Sequence, residues 1–322
     1  MTRLYITVDT EYSCGLALRD GAGNRTGNFA RSIACDTAIG PLGIGYQMDR
    51  LDQYGLKAVF FVDPMPALVW GTAAIADVVG PIVSRGHDVQ LHLHSEWLAL
   101  AGSNNPVGPR TGRNIADFSL DDQCVLIDRA RDLLVAAGAP RPVAFRAGNY
   151  GANDDTLRAL AHLGIAYDTS HCPAIPGADC AISLGPDDRA VLAHCGVIEV
   201  PIGAIGAANG ALRHFQLTAL TISEIAAALR HAAARQVPSM TLVSHSFELL
   251  SRDRMRANQV VKRRFDTLCA VLGSLKDVRT ATYASDPPEP APGLQAVLPH
   301  RWPRTLRRMA EQAVGNALYG SS

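Results

Sequence analysis

Two short stretches of the 322-residue chain gather side chains that can hold a metal ion and move protons. Three of the 10 histidines, His87, His92 and His94, fall within one run of eight residues. Alternate residues of a strand point to the same face. His92 and His94 therefore project together, and Glu96 continues their parity if the strand extends that far. Two adjacent imidazoles make half of a zinc-type site. Near the start, Val8-Asp9-Thr10-Glu11 closes an apolar run with carboxylates at i and i+2, again on one face. Close carboxylates rarely both stay ionised without a cation or a basic partner. One can hold a metal while the other takes a proton, which is the division of labour of a hydrolytic site. Arg146, in Phe145-Arg146-Ala147-Gly148-Asn149-Tyr150, and His245, in Leu242-Val243-Ser244-His245-Ser246-Phe247, also follow apolar runs. Each of these features alone equally suits a polar strand or a solvated acidic loop. Their recurrence at four strand ends is the argument for chemistry.

The elements that must position them read as strand and helix in alternation. Strands are expected over 4–8, 58–62, 89–94, 143–145, 197–202, 240–244 and 278–283. Helices are expected over 44–54, closed by Gly55, and over 67–85, closed by Gly86. Others run from Ser119 to about 137, from Asn153 to Gly164, from the Thr221/Glu224 capping box to about 236, and over 254–272. Such alternation means an α/β protein with a mostly parallel sheet. The strand count suits a barrel, whose catalytic residues collect where strands end. Nothing divides the first 284 residues, so residues 1–284 read as one barrel domain. Residues 285–292 (SDPPEPAP) are a proline-rich linker. Beyond it, a helix over 306–318 with Arg304, Arg307 and Arg308 forms a short basic tail within 285–322. It either packs on the body or touches a membrane surface or partner.

Composition sets exclusions. With 30 basic and 30 acidic residues the formal charge is zero, which argues against nucleic acid as the main partner. No stretch has the roughly 18–20 apolar residues of a membrane span. The opening residues, MTRLYITVDTE, carry no apolar signal region, so a cytoplasmic protein is expected. The seven cysteines are odd in number and form no CxxC pair, which points to reduced thiols and away from a disulfide framework or thiolate zinc site.

At these residues the chain resembles the polysaccharide deacetylase family, carbohydrate esterase family four, with its nodulation-type deacetylase domain. Thr7-Val8-Asp9-Thr10-Glu11 is similar to the family's first motif, and Gly86-His87-Asp88-Val89-Gln90-Leu91-His92-Leu93-His94 to its second. Phe145-Arg146-Ala147-Gly148-Asn149-Tyr150 resembles the third motif and Leu242-Val243-Ser244-His245 the late histidine motif. Gly55-Leu56-Lys57-Ala58-Val59-Phe60-Phe61 is similar to the family's second strand. The match runs in order over roughly 3–283. It departs where Thr10 separates carboxylates that are usually adjacent, and where His94 follows His92 by two positions in place of four. The tryptophan-containing fourth motif is not visible. Val197-Ile198-Glu199-Val200-Pro201-Ile202 occupies about its place, with Glu199 read as structural.

The resemblance implies a distorted (β/α) barrel of about seven parallel strands followed by the short helical tail. It implies a metal-dependent hydrolase that removes an N-acetyl group from an amino sugar. Glu11, His92 and His94 would hold a divalent ion, zinc foremost. Asp9 would be the base, Arg146 would fix it, and His245 would protonate the leaving amine. Asp9 and Glu11 could exchange roles, and Glu96 could stand in for His94. Without an export signal, a nucleotide-, lipid- or antibiotic-linked amino sugar is the expected substrate. The alternatives are a hydrolase of another amide, such as a formamide or cyclic amide, and a non-catalytic glycan binder on a degenerate barrel.

Overall fold

In the computed structural model, which describes residues 1–177 and 179–320, the chain builds outward from one long buried strand, β1 (Thr2–Thr10). The strands that follow are β2 (Val59–Val62), β3 (Asp88–Leu93), β4 (Ala144–Ala147), β5 (Tyr167–Asp168), β6 (Leu192–His194) and β7 (Val197–Glu199). After them come β8 (Ala204–Gly206), β9 (Leu212–His214), β10 (Ser239–His245) and β11 (Val278–Thr280). Nine of them form one curled sheet in the order β10-β1-β2-β3-β4-β5-β7-β6, with β11 beside the start of β1. Within this sheet every pairing is parallel except β6 against β7, and β8 and β9 form a separate antiparallel pair. Helices cross between the parallel strands except from β5 to β7, whose connection is a long loop that carries β6. The fold is a distorted (β/α) barrel with a C-terminal helix. The strand expected over 278–283 is β11, and the short β5 and the antiparallel edge strand β6, neither of them expected, bring the sheet above the seven strands anticipated.

The gap between β7 and β10 is bridged by chain outside the regular strands. After β7, the Val200 and Ile202 amides donate to Asp168 and His171 carbonyls, and the Gly203 amide then donates to the Thr241 carbonyl of β10 at 3.0 Å. A Cβ on Gly203 would lie 2.7 Å from that carbonyl oxygen, so only glycine permits this approach.

Alternation along β1 sorts side chains between two environments. Leu4, Ile6 and Val8 pack outward against the helices, and Tyr5 packs inward with Val59, Phe61, Ala144 and Tyr283. Burying each such side chain contributes about 1.5–3 kcal/mol. The same inward parity carries Thr7 and Asp9, so the polar residues sit above an apolar floor.

The expected Thr221–Glu224 capping box forms, and Asn153, expected as the start of its helix, caps it in a box with Thr156. The helix expected over 67–85 is two, Ala67–Trp70 and Ala73–Ser84, because Gly71 turns between them at φ 77°. The helix expected from 254 starts at Gln259, where the Asn258 side chain caps the Val261 amide. Residues 251–257 are thereby freed as a loop. Two short helices, Cys14–Asp20 and Arg25–Ser32, lie in a stretch whose mixed polar sequence has no clear period. The tail lies along the body: Tyr5 Oη donates to the Asp286 carbonyl, and the Gly206 amide to that of Leu298.

Glu199 faces Asp168 across the β5–β7 pairing, and both are fully buried. Glu199 Oε1 accepts the His171 amide, and Asp168 accepts the amide and hydroxyl of Ser170. Burial, and then the neighbouring Asp168, push the Glu199 carboxyl well above its usual range. The folded chain therefore retains a proton that the unfolded chain releases above about pH 4.3. This contribution to stability is complete below that pH and is lost as pH rises toward the folded value. Glu199→Gln should shrink the fall in melting temperature between about pH 5 and about pH 8 relative to the native chain. Parallel falls in the two proteins would refute the retention of a proton on Glu199.

Candidate active site

The six polar residues singled out from the sequence converge at the C-terminal ends of the parallel strands, the end where barrel active sites form. Asp9 and Glu11 leave β1, His92 and His94 leave β3, Arg146 lies on β4 and His245 ends β10. One oxygen of Glu11 and one nitrogen each of His92 and His94 all lie within 4.8 Å of one another. Glu11 Oε2 is 3.3 Å from His92 Nε2 and 2.5 Å from His94 Nε2.

The imidazoles are held by their far nitrogens. His92 Nδ1 donates to the Arg146 backbone carbonyl at 2.7 Å, and His94 Nδ1 donates to Glu96 Oε2 at 2.7 Å. With Nδ1 engaged as a donor, each ring turns its Nε2 toward Glu11. This is the usual arrangement behind metal-binding histidines, where a carbonyl or carboxylate fixes tautomer and orientation. Glu96 thus stands behind His94 and is not among the converging donors. Gly148 makes the arrangement possible, since a Cβ there would lie 2.6 Å from His94 Nδ1.

A divalent cation fits this donor set. Glu11 Oε2 is buried yet receives no hydrogen bond of proper geometry. One carboxylate oxygen and two imidazole nitrogens are zinc-type ligands. Burial works against the Glu11 charge, but His94 and His92 outweigh it and hold the carboxyl well below its usual range. Burial likewise opposes a charge on His94, and Glu11 with Glu96 reverses that, lifting it well above the ordinary imidazole value. A proton and a cation would compete here for the same lone pair, so binding of a metal would release protons.

The other half of the site is built around Arg146, which is fully buried. Its Nη1 donates to Asp9 Oδ1 at 2.6 Å and to Thr7 Oγ1 at 2.9 Å, and its Nε donates to the Thr169 carbonyl. The guanidinium carbon sits 4.4 Å from the centre of the Phe61 ring. Asp9 Oδ2 is left facing His245 Nε2 at 3.8 Å. On its other side His245 Nδ1 meets Glu248 Oε1 at 2.9 Å. Burial pulls the His245 pKa down, but Glu248 and Asp9 outweigh it and raise the group to about 9.

Three contributors went unread in the sequence. Glu248 follows His245 by three residues and is held in turn by the Ser244 hydroxyl and Gln216. Thr7 shares the inward parity of Asp9. Asp63 ends β2 as Asp9 ends β1, and its Oδ1 accepts the Met65 amide while Oδ2 is buried without a partner. Burial raises the Asp63 carboxyl to about 6 against the pull of His94 and His92. An acid directly after Val59-Phe60-Phe61-Val62 was the available signal. The unanticipated helix Arg25–Ser32 also serves the site, because the Ser246 hydroxyl donates to the Ser32 carbonyl and ties down the end of β10. Asp154, His194 and Cys195 form a second, half-buried donor group. There the Asp154 carboxylate is already engaged by the amide and hydroxyl of Ser183.

No family model and no curated protein matches the chain. Solved structures that match include polysaccharide deacetylases and family 4 carbohydrate esterases. A provisionally named polysaccharide deacetylase from Mycobacterium smegmatis aligns with a TM-score of 0.56 and 17% identity, over 88% of this chain and 87% of that one. A family 4 carbohydrate esterase from Streptomyces lividans aligns at 0.45 and 13%, covering 93% and 98%. A 4-alpha-glucanotransferase from Thermococcus litoralis aligns at 0.48 and 10%, covering 88% and 40%. At these identities the likeness speaks to fold alone. The chain shares its distorted barrel with the Mycobacterium smegmatis structure.

Gly148→Ala should push His94 off Glu96 and weaken zinc binding by about 10–100-fold, measured by chelator competition. Unchanged affinity would show that the contact between Gly148 and His94 is slack.

Proposed function

We propose that the protein is a metal-dependent hydrolase that removes the N-acetyl group from an amino sugar. One observation carries this reading: a Glu-His-His donor set and a buried Arg-fixed carboxylate facing a histidine share one barrel mouth. Glu11, His92 and His94 hold the cation, and Glu96 and the Arg146 carbonyl keep the two rings in place. When bound, a zinc-type ion polarises the acetamide carbonyl and lowers the pKa of water.

The protein's own groups supply the proton transfers. Arg146 occupies one oxygen of Asp9, which leaves Oδ2 to accept a proton from the attacking water. His245 is protonated at neutral pH with Glu248 behind it, and it donates to the amine as the C–N bond breaks. Acetate and a free amino sugar result. All seven cysteines are unpaired, which agrees with a reducing compartment. A cytoplasmic, nucleotide- or lipid-linked amino sugar is accordingly the substrate class proposed.

Zinc-loaded protein should release acetate from N-acetylated amino sugars, followed enzymatically. Asp9→Asn should keep zinc and lose about 10²–10⁴-fold in rate, whereas His92→Ala should lose both metal and rate. Formate or ammonia in place of acetate would move the activity to another amide. Glycan binding with neither metal nor product would sink the enzymatic reading.

The pH profile offers a separate check. Loss of the His245 proton should close the rate from about pH 9 upward. Glu248→Gln removes the group that raises His245, so the alkaline limb should move toward neutrality. An unmoved limb would exclude His245 as the acid.

A further inference from the structure

The C-terminal helix, Trp302–Tyr319, is amphipathic in the reverse of the usual sense. A surface helix normally turns its apolar stripe to the core and its polar face to water. Here the residues against the body are Arg304, Thr305, Arg308, Glu311, Gln312 and Gly315, one face at three- and four-residue spacing. They are held by polar contacts: Arg308 Nε donates to Glu224 Oε1 and Arg264 Nη2 to Glu311 Oε2, both at 3.3 Å.

The opposite face carries the large apolar side chains. Trp302 is 62% exposed, Leu306 60%, Met309 55%, Val314 52% and Leu318 54%. Met255, 60% exposed, extends the same end. Its loop is pinned to the last helical turn by the Arg252 amide and the Arg256 guanidinium, which donate to the Tyr319 and Leu318 carbonyls. Patches of this kind mark interaction surfaces.

Charge identifies the occupant. Arg301 and Arg307 are exposed beside the apolar face, while the helix's only acid, Glu311, is turned inward and paired with Arg264 and Arg307. A continuous apolar face with a tryptophan at one end and flanking arginines, free of outward carboxylates, is the pattern of helices that lie in anionic membrane surfaces. No helix among the described residues is long and apolar enough to cross a membrane.

We propose that the outer face of this helix docks on an anionic lipid bilayer. The consequence for the site follows from the inner face. A groove of about 330 Å³ runs from His245 and Phe247 past Arg254 to Glu311, Gln312 and Asn316 of the same helix. Docking therefore places one wall of the groove that reaches His245 at the lipid surface. The docking itself does not depend on the hydrolytic chemistry. That the groove then receives an amino sugar carried on a lipid rests on the function proposed above.

The test uses the full chain with vesicles of phosphatidylcholine alone or mixed with phosphatidylglycerol. The protein should co-sediment with the mixed vesicles and far less with phosphatidylcholine, and salt should weaken the binding. Trp302 should shift its emission to the blue on binding, and Trp302→Phe should abolish the shift, since Trp97 is buried and Trp70 half-buried. Leu306→Asp with Met309→Asp should lower vesicle affinity at least about tenfold at an unchanged melting temperature. Arg301→Glu with Arg307→Glu should reduce binding to the anionic vesicles specifically. Docking is overturned if the protein ignores both vesicle types, or if the aspartate variant sediments like the native chain. It is also overturned if light scattering without lipid shows a dimer that the aspartate variant splits, which would make a second copy the occupant. Acetate release from a water-soluble substrate should be the same in the native and aspartate proteins, so failure of docking is separable from failure of the hydrolase reading.

Discussion

The guanidinium of Arg146 has no contact with solvent and is shared by β1, β2 and the chain after β5. A charge taken that far from water costs several kcal/mol unless it is paired and its donors are met. Asp9 supplies the countercharge, Thr7 and the Thr169 carbonyl take further donors, and Phe61 presents its ring face. The same residue's backbone carbonyl receives Nδ1 of His92. One buried cation thereby positions the carboxylate proposed as base and one of the rings proposed to hold metal. The barrel's closure at Gly203 and its apolar floor at Tyr5, Phe61 and Tyr283 are what keep that charge dry.

Around this centre the three histidines obey one rule. Each ties Nδ1 to an acceptor behind it, the Arg146 carbonyl for His92, Glu96 for His94 and Glu248 for His245. Each turns Nε2 inward, two toward Glu11 and one toward Asp9. The two inward carboxylates therefore face different partners. Glu11 sits between two rings and suits a cation. Asp9 sits between an arginine and a histidine and suits proton transfer. This asymmetry favours the assignment of Glu11 as ligand and Asp9 as base over the exchange of their roles.

Much of this was legible along the chain because strand parity is a local property. Asp9 and Glu11 share a face, as do His92 and His94, and the capping boxes at Asn153 and Thr221 mark helices by residue type at fixed spacing. The misreadings also have local causes. The apolar pattern of 67–85 passes through Gly71 without showing that the backbone turns there, and Asn258 outcompeted the earlier residues as a cap. Glu248 carries no pattern of its own, and Asp63 carries only its place directly after an apolar strand. Their significance comes from lying beside His245 and His94, contacts set by how strands far apart in sequence curl together.

The amphipathic tail shows where the sequence by itself stops. Helical spacing over the last residues determines that one face is apolar and the other polar, just as the run of strands and helices determines a parallel α/β barrel with polar residues at its strand ends. Which face of the tail turns inward was decided by tertiary structure alone. Arg308 and Glu311 found buried partners in Glu224 and Arg264, and an unpaired charge is costlier to bury than an apolar side chain is to expose. The different placement of His94 and Glu96 has the same kind of origin. Both have the required parity, but only His94 reaches Glu11, because Gly148 leaves room for its ring and Glu96 is held behind it.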